Sequence, residues 1–587
     1  MNISAKASST NWYRNPWVGG VLLGWLILNL IQATFTELFH DEAYYWMFSK
    51  HLAWGYAEHA PMVALVIRLG TLIVPGELGV RLIAVLLNVA TLWMVWGMTD
   101  RKKPWLFWML LLAMVEVQVA GFLTVPDAPL VFFVSLFLYR YQRWLKNENW
   151  LNTLWLTLAI IGIVYSKYHG VMVLFFTLLS NLRLLRNKYF WTMAIVATLA
   201  WFPHLSWLIE TKFATFQYHL LDRIREPHPI EFSLNYLLNQ LLVAGPFMGF
   251  VLFPSAFKKQ PQDEFERALK WILFGVLIFL FFLSFRTHIE ANWSASAFFP
   301  LVLLSYGYIA ERPKWQLWTR RLFIPSVIII LLLRVYLMVD FLPFLKQVRN
   351  EFHYWPEWAE SVSEVVGDRP AVFINGYQHP SKYMFYSGKE AWVTNNFGYH
   401  KTQYDQWGFM EDAIQGKEIC LISRGPFAGS DTVFAEGGLN MYYRYLADFH
   451  TYNRIDIEVL MDDLSVRQGD TLTIPIKLQS RYDGPKRFVD TNTEFIPNVS
   501  YHIYRYDRRI KSGWIKPSLG GKVIQDSMLM DATILADVEE PGDYFLLFSI
   551  TQGWYHSGYN GRFVPIEILA PAAPPQTSSL YPREDQK

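Results

Sequence analysis

From Pro16 to about Phe341 the sequence consists mostly of apolar runs long enough to cross a bilayer, and that repetition restricts the fold more than any other feature. Inside hydrocarbon every backbone N–H and C=O needs a partner within the protein, so a spanning segment is a helix or part of a closed barrel. A helix needs about 20 mainly apolar residues to span. Runs of that kind lie near residues 17–36, 78–98, 104–123, 127–144, 150–166 and 169–185. Others lie near 190–209, 234–254, 270–286, 294–310 and 322–341. They predict a polytopic α-helical membrane protein of about eleven spans. Pro61 to Val74 is apolar but shorter and is expected in or against the interface. The run ending near Phe35 is longer than the roughly 7–15 apolar residues of a cleaved leader, so it is read as a retained first span.

Basic residues set the expected orientation. Alternate connections carry Arg101, Lys102 and Lys103; Arg140, Arg143 and Lys146; Arg183, Arg186 and Lys188; Lys258 and Lys259; and Arg320 with Arg321. Lysine and arginine accumulate in cytoplasmic loops, so these ends are expected inside together with the N-terminus. Residues 37–77, 124–126, 167–168, 210–233 and 287–293 then face outward, as does everything after an odd number of spans. The protein is thus expected in a bacterial inner membrane, with its C-terminal part periplasmic.

Beyond residue 342 the sequence becomes polar. Residues 343–452 mix strand-like runs ("AVFING", "EICLIS") with helical ones and read as a soluble α/β segment. Residues 453–570 alternate in short runs such as "DTLTIPIKLQS" and "DYFLLFSITQ", separated by "RQGD", "RYDGP" and "EEPGD", which predicts a β-sandwich. The Pro-rich end, 571–587, is expected to be a disordered tail.

Composition narrows the chemistry. Only 17% of the 587 residues are charged, against about a quarter in soluble domains, and the net charge is +2. Without a basic tract, nucleic acid is not an expected partner. Cys420 is the single cysteine, which excludes an internal disulfide or a Cys-rich zinc site.

The first outward loop opens with "HDEAYYWMF", where Asp41 and Glu42 sit among aromatics. Lys50 and Glu77 read as solvated loop charges. Asp41 and Glu42 do not, because carboxylates at an apolar boundary are costly unless paired or functional. Three more polar points share the outward face. "TVPDAP" holds Asp127, which could equally be a helix N-cap. "VYSKYHG" holds Lys167, and Arg81 opens the second span; both could be snorkelling cations. Carboxylates can accept a proton or bind a metal, and cations can bind phosphate. Such a set suits displacement of a phosphate leaving group by a hydroxyl at the membrane surface. No GxxxxGK[ST] loop is present, so no nucleotide cofactor is expected and a bilayer-resident polyprenyl-phosphate sugar fits as donor. Glu116 and Gln118 lie near the outer end of the third run, where lining a polar cavity and pairing with another span are both open. His204 reads as a structural hydrogen-bond partner, and "DDLSVRQGD" lacks the ligand spacing of a calcium loop.

In order along the chain, "HDEAYYW", "GYAEHAPMVAL", "VPDAPLVFF", "YSKYHGVMVL", "EANWSASAFFP" and "SKYMFYSGKEAWV" resemble motifs of the GT-C glycosyltransferases related to protein O-mannosyltransferases and the lipid A aminoarabinose transferase. The resemblance implies an inverting glycosyltransferase that uses a polyprenyl-phosphate sugar and a lipid, polysaccharide or protein acceptor. It implies Asp41 as general base, with Glu42 beside it in the first acidic motif, and Asp127 as a second essential carboxylate. Lys167 and Arg81 would bind the lipid phosphate. Glu58 and His59 match a position that contributes to metal and phosphate binding, although His59 stands where the aminoarabinose transferase has lysine, which leaves a divalent metal open. A lipid-linked-sugar transporter or flippase would instead show charged or broken segments at mid-membrane in two related halves. A non-catalytic glycan-assembly protein would not need both acidic motifs.

Overall fold

The computed structural model describes residues 16–211, 213, 230–342, 344–396, 399–490, 496–505, 508–552 and 556–571. The N-terminal segment before Pro16, most of the expected outward loop 210–233 and residues 572–587 of the expected tail lie outside the described residues.

The chain divides into two compact units. The first comprises Met1–Gly367, Tyr377–Ala391 and Val433–Met441; the second comprises Asp368–Gly376, Trp392–Thr432 and Tyr442–Lys587.

The first unit is helical. It contains α1 (Pro16–Phe35), α2 (His40–Lys50), α3 (Met62–Thr71), α4 (Gly76–Gly97), α5 (Pro104–Leu112), α6 (Val115–Val119), α7 (Asp127–Trp144), α8 (Trp150–Ser166), α9 (Val171–Ser180) and α10 (Lys188–Glu210). Further helices follow at Glu231–Val243, Gly249–Lys258, Glu264–Leu283, Ala295–Ile309 and Pro313–Met338. Among the described residues four helices are long and apolar enough to cross a membrane: α1, α4, α10 and Pro313–Met338. Leu23, Leu199, Phe202 and Ile324 stand exposed on them, as lipid-facing side chains do.

Several of the eleven apolar runs are not single helices, because mean hydropathy does not report where a helix breaks. The run 104–123 splits between α5 and α6, and 234–254 splits between Val243 and Gly249. These two breaks meet. Gly245 has φ +123°, and a Cβ there would lie 2.4 Å from the carbonyl oxygen of Ala113 in the other break. Irregular backbone at membrane depth is tolerated where it is buried in protein or lines a cavity.

The division of contacts also departs from the boundary expected at residue 342. Helix Trp355–Val366 buries Trp355, Trp358, Ala359, Val362 and Val366 in the first unit. It has proline in its first turn and ends at Gly367 (φ +60°), the usual asymmetry of helix ends. Helix Gln378–Ser387 packs on α2 and on Trp355–Val366. Its apolar residues, read as part of a soluble segment, therefore complete the helical unit.

The second unit is built of sheets. A five-stranded mixed sheet pairs Ala371–Ile374 parallel to Lys417–Ser423, which pairs antiparallel with Met441–Phe449. Cys420 is buried in it. Beyond it, a six-stranded and a three-stranded sheet share one core. Alternate residues point into that core, for example Ile474, Ile476 and Leu478 on one sheet and Leu546, Phe548 and Ile550 on the other.

Candidate active site

The helix α2 begins one short turn after α1 ends, with Asp41 and Glu42 in its first turn, where the helix dipole favours negative charge. Glu42 points inward and is fully buried. One oxygen, Oε2, accepts from the Phe39 N–H at 3.0 Å, and the other, Oε1, from the Thr124 N–H at 2.8 Å. Both oxygens also receive the Arg81 guanidinium, with Nε at 2.9 Å from Oε1. The other guanidinium hydrogens go to the carbonyls of Ala33, Thr36 and Glu37. Arginine has five N–H donors, and Arg81 has committed all five inside the protein. Arg81, expected at the lipid phosphate, thus has its five donors on Glu42 and three carbonyls, and Glu42, expected in the first acidic motif beside the base, is its buried counter-ion. The pair staples α1, α2, α4 and the 124 turn together.

Asp41, one residue earlier, points elsewhere. Its Oδ1 accepts from the Tyr377 hydroxyl at 2.8 Å, and Oδ2 has no hydrogen-bond partner among the described residues. The side chain is half-buried. Burial pushes its pKa up from 3.8 to about 6, the Tyr377 hydrogen bond works against that, Glu290 and Glu42 add to the rise, and Lys167 opposes it. Tyr377 precedes helix Gln378–Ser387 and stacks on Tyr44 of α2, with ring centroids 4.3 Å apart.

Asp127 is the first residue of α7, yet its side chain does not cap that helix. Both oxygens take the Lys167 ammonium, at 2.8 and 2.9 Å, and Oδ2 also accepts from Asn292 Nδ2 at 2.8 Å. Lys167 leaves the end of α8 in extended conformation (φ −160°, ψ 137°), which turns its side chain inward. It is 7% exposed, so it does not snorkel to the surface. Neighbouring Trp293 packs on His169, centroids 4.6 Å apart.

Glu58 and His59 are both tied to α2. The Tyr44 hydroxyl donates to Glu58 at 3.1 and 3.2 Å, and the Tyr45 hydroxyl lies 2.9 Å from His59 Nε2. Among the described residues no three histidine, cysteine, aspartate or glutamate side chains gather in a way that could hold a metal ion. A structural or catalytic zinc takes three or four protein ligands, and Glu58 with His59 supplies two. The expected part of His59 in phosphate binding also meets an imidazole already engaged by Tyr45.

Sequence reasoning missed a second buried charge group. Lys382 is fully buried, donates to the Glu351 carbonyl at 2.7 Å and lies over the Trp355 ring at 4.2 Å. Burial lowers its pKa, and burial raises that of Glu37, whose carboxylate accepts the Tyr354 and Trp355 N–H groups at 3.0 and 2.8 Å. Glu351 in turn accepts from the His40 N–H at 3.1 Å, one residue from Asp41. Asn292 was quoted in a motif without a role. Tyr377 had only the turn signal "NG" before it, where Asn375 and Gly376 both take positive φ.

Residues 58–207 match the family model described as dolichyl-phosphate-mannose-protein mannosyltransferase. The lipid A galacturonosyltransferase RgtD of Rhizobium johnstonii is 22% identical over 300 residues, covering 47% of this chain; the match spans 62% of that relative's length. Among solved structures, ArnT from Cupriavidus metallidurans in the apo state aligns with a TM-score of 0.55 at 12% identity, over 73% of this chain and 98% of that one. The same protein bound to undecaprenyl phosphate gives 0.53 at 14% identity, over 75% and 98%. The ordered motifs, the family segment and the shared topology agree: this chain has the fold of the GT-C glycosyltransferases.

Proposed function

We propose that this protein is an integral-membrane glycosyltransferase that moves a sugar from a polyprenyl phosphate to an acceptor hydroxyl on the periplasmic face, with inversion at the anomeric carbon. The observation that carries the reading is Asp41. Its carboxyl is half-buried among aromatics, one oxygen is held by Tyr377, the other is open, and Lys167 lies within electrostatic reach. A base with a pKa near 6 is mostly ionised at neutral pH and still basic enough to accept a proton in a transition state.

In this mechanism Asp41 Oδ2 takes the proton of the acceptor hydroxyl as its oxygen attacks the anomeric carbon. The bond from that carbon to the phosphate oxygen breaks on the opposite face, and the electron pair leaves with the lipid phosphate. The phosphate departs as a stabilised anion, so no strong acid is required opposite Asp41. Two of the three Lys167 N–H groups go to Asp127, and the third is assigned to a phosphate oxygen. Asp127, held by Lys167 and Asn292, orients the donor. ArnT bound to undecaprenyl phosphate and the lipid A transferase RgtD support a lipid-linked donor and a lipid acceptor such as lipid A. The alternating basic loops support the expected topology.

The test is sugar transfer by full-length protein reconstituted in lipid. Asp41→Asn keeps the shape but cannot accept the proton, and should lose about 10²–10⁴-fold in turnover while retaining undecaprenyl phosphate binding. Near-normal turnover by stably inserted Asp41→Asn would move the base role to Asp127, with Asp127→Asn as the parallel measurement.

A further inference from the structure

The short helix α6 carries two polar side chains into the buried interior, and the structure treats them differently. Gln118 is committed: it donates to the Leu112 carbonyl and accepts from Arg334 Nη1 at 2.6 Å. Glu116 is only 8% exposed, yet its carboxyl has no hydrogen-bond or ion-pair partner among the described residues. The charged groups within its electrostatic reach are Asp127 and Lys167, the ion pair of the candidate site. A buried carboxyl without a partner is unfavourable whether it is ionised or not. Nothing in the packing of α6 needs it, since the helix is anchored through Gln118 and buried Val117. The helix exists as a separate element only because the third apolar run breaks after Leu112.

We propose that Glu116 is a substrate-binding residue that accepts a hydrogen bond from a donor group, hydroxyl or ammonium, on the sugar being transferred. The inference rests on the glycosyltransferase reading above and extends it to the part of the donor that Glu116 touches. Lys167 beside Asp127 faces the phosphate end of the donor, and Glu116, with its acceptor oxygens open, faces the sugar. Asp41 is then left for the acceptor. A sugar hydroxyl or ammonium would satisfy Glu116 on binding. The bare carrier lipid would leave it as it is.

The experiment measures binding to full-length protein in lipid nanodiscs, using undecaprenyl phosphate alone, the same carrier bearing a neutral hexose, and the carrier bearing an amino sugar. Wild type is compared with Glu116→Ala and Glu116→Gln. Bare undecaprenyl phosphate should bind all three proteins alike, and the sugar-loaded carrier that wild type prefers should bind Glu116→Ala about ten- to hundred-fold more weakly, the range for a charge-assisted hydrogen bond. With Glu116→Gln, retained binding identifies the group as a hydroxyl, and loss identifies an ammonium. Melting temperature gives a second readout, because removing an unpartnered carboxyl leaves no orphaned partner. Glu116→Gln should therefore melt at or above the wild-type temperature. Equal binding of loaded carriers to wild type and Glu116→Ala, equal weakening of the bare carrier, or a lowered melting temperature in Glu116→Gln would each overturn the inference. Wild type that binds neither bare nor loaded carrier would overturn the glycosyltransferase reading itself, an outcome distinct from the other three.

Discussion

Tyr377→Phe removes a single hydroxyl from the site and keeps the ring that stacks on Tyr44. In the wild type that hydroxyl donates to Asp41 at 2.8 Å and holds the carboxyl pKa down against burial, leaving it at about 6. A hydrogen bond to a charged group is worth about 1.5–3 kcal/mol, which at 1.36 kcal/mol per pKa unit is roughly one to two units. The Asp41 pKa in the variant should therefore rise to about 7–8. A base acts when ionised, so activity is present above its pKa and is lost as pH falls through it. The acid limb of the pH–rate profile should move from about 6 to about 7–8. At pH 7 the ionised fraction falls from about nine-tenths to between a half and a tenth, so turnover drops about two- to tenfold. Above about pH 9 the two proteins should converge. The assay is the initial rate of sugar transfer between pH 5 and 9.5, with protein level and melting temperature as controls. An unmoved acid limb would refute the assignment of Asp41 as base. A uniform loss at every pH would make Tyr377 a packing residue only.

Three further outcomes separate structural from functional charges. Arg81→Met strands the buried Glu42 carboxylate and should cost about 3–5 kcal/mol of stability, seen as lost accumulation or a lower melting temperature. Adding Glu42→Met should recover much of it, whereas a stable Arg81→Met protein with weakened undecaprenyl phosphate binding would restore Arg81 to the phosphate site. Lys167→Ala should weaken undecaprenyl phosphate binding about ten- to hundred-fold, and unchanged binding would leave Lys167 as the counter-ion of Asp127 alone. Reporter fusions after residues 102 and 450 should give opposite signals for the inner and outer face; equal signals would refute the orientation.

The apolar helices of the first part of the chain and the alternation of strands in the C-terminal part were legible locally. Hydropathy is a sum over neighbours in sequence, and lysine and arginine bias acts loop by loop. The same local reading counted apolar runs as whole spans. It could not see that 104–123 breaks between α5 and α6, because the break is stabilised by a partner, the Gly245 bend, more than a hundred residues away.

For the site, the sequence by itself singled out candidate side chains, Asp41, Asp127 and Lys167 among them. It could not sort those charges. In sequence Arg81 and Lys167 are both cations near acidic motifs, and only the tertiary structure shows that Arg81 has all five donors buried on Glu42 and three carbonyls. Likewise Tyr377 reaches Asp41 across 336 residues, and Asn292 reaches Asp127 across 165. Whether a buried charge is a staple or a reagent depends on how many of its hydrogen-bonding positions the surrounding protein already fills, and those partners come from distant segments that only folding brings into contact.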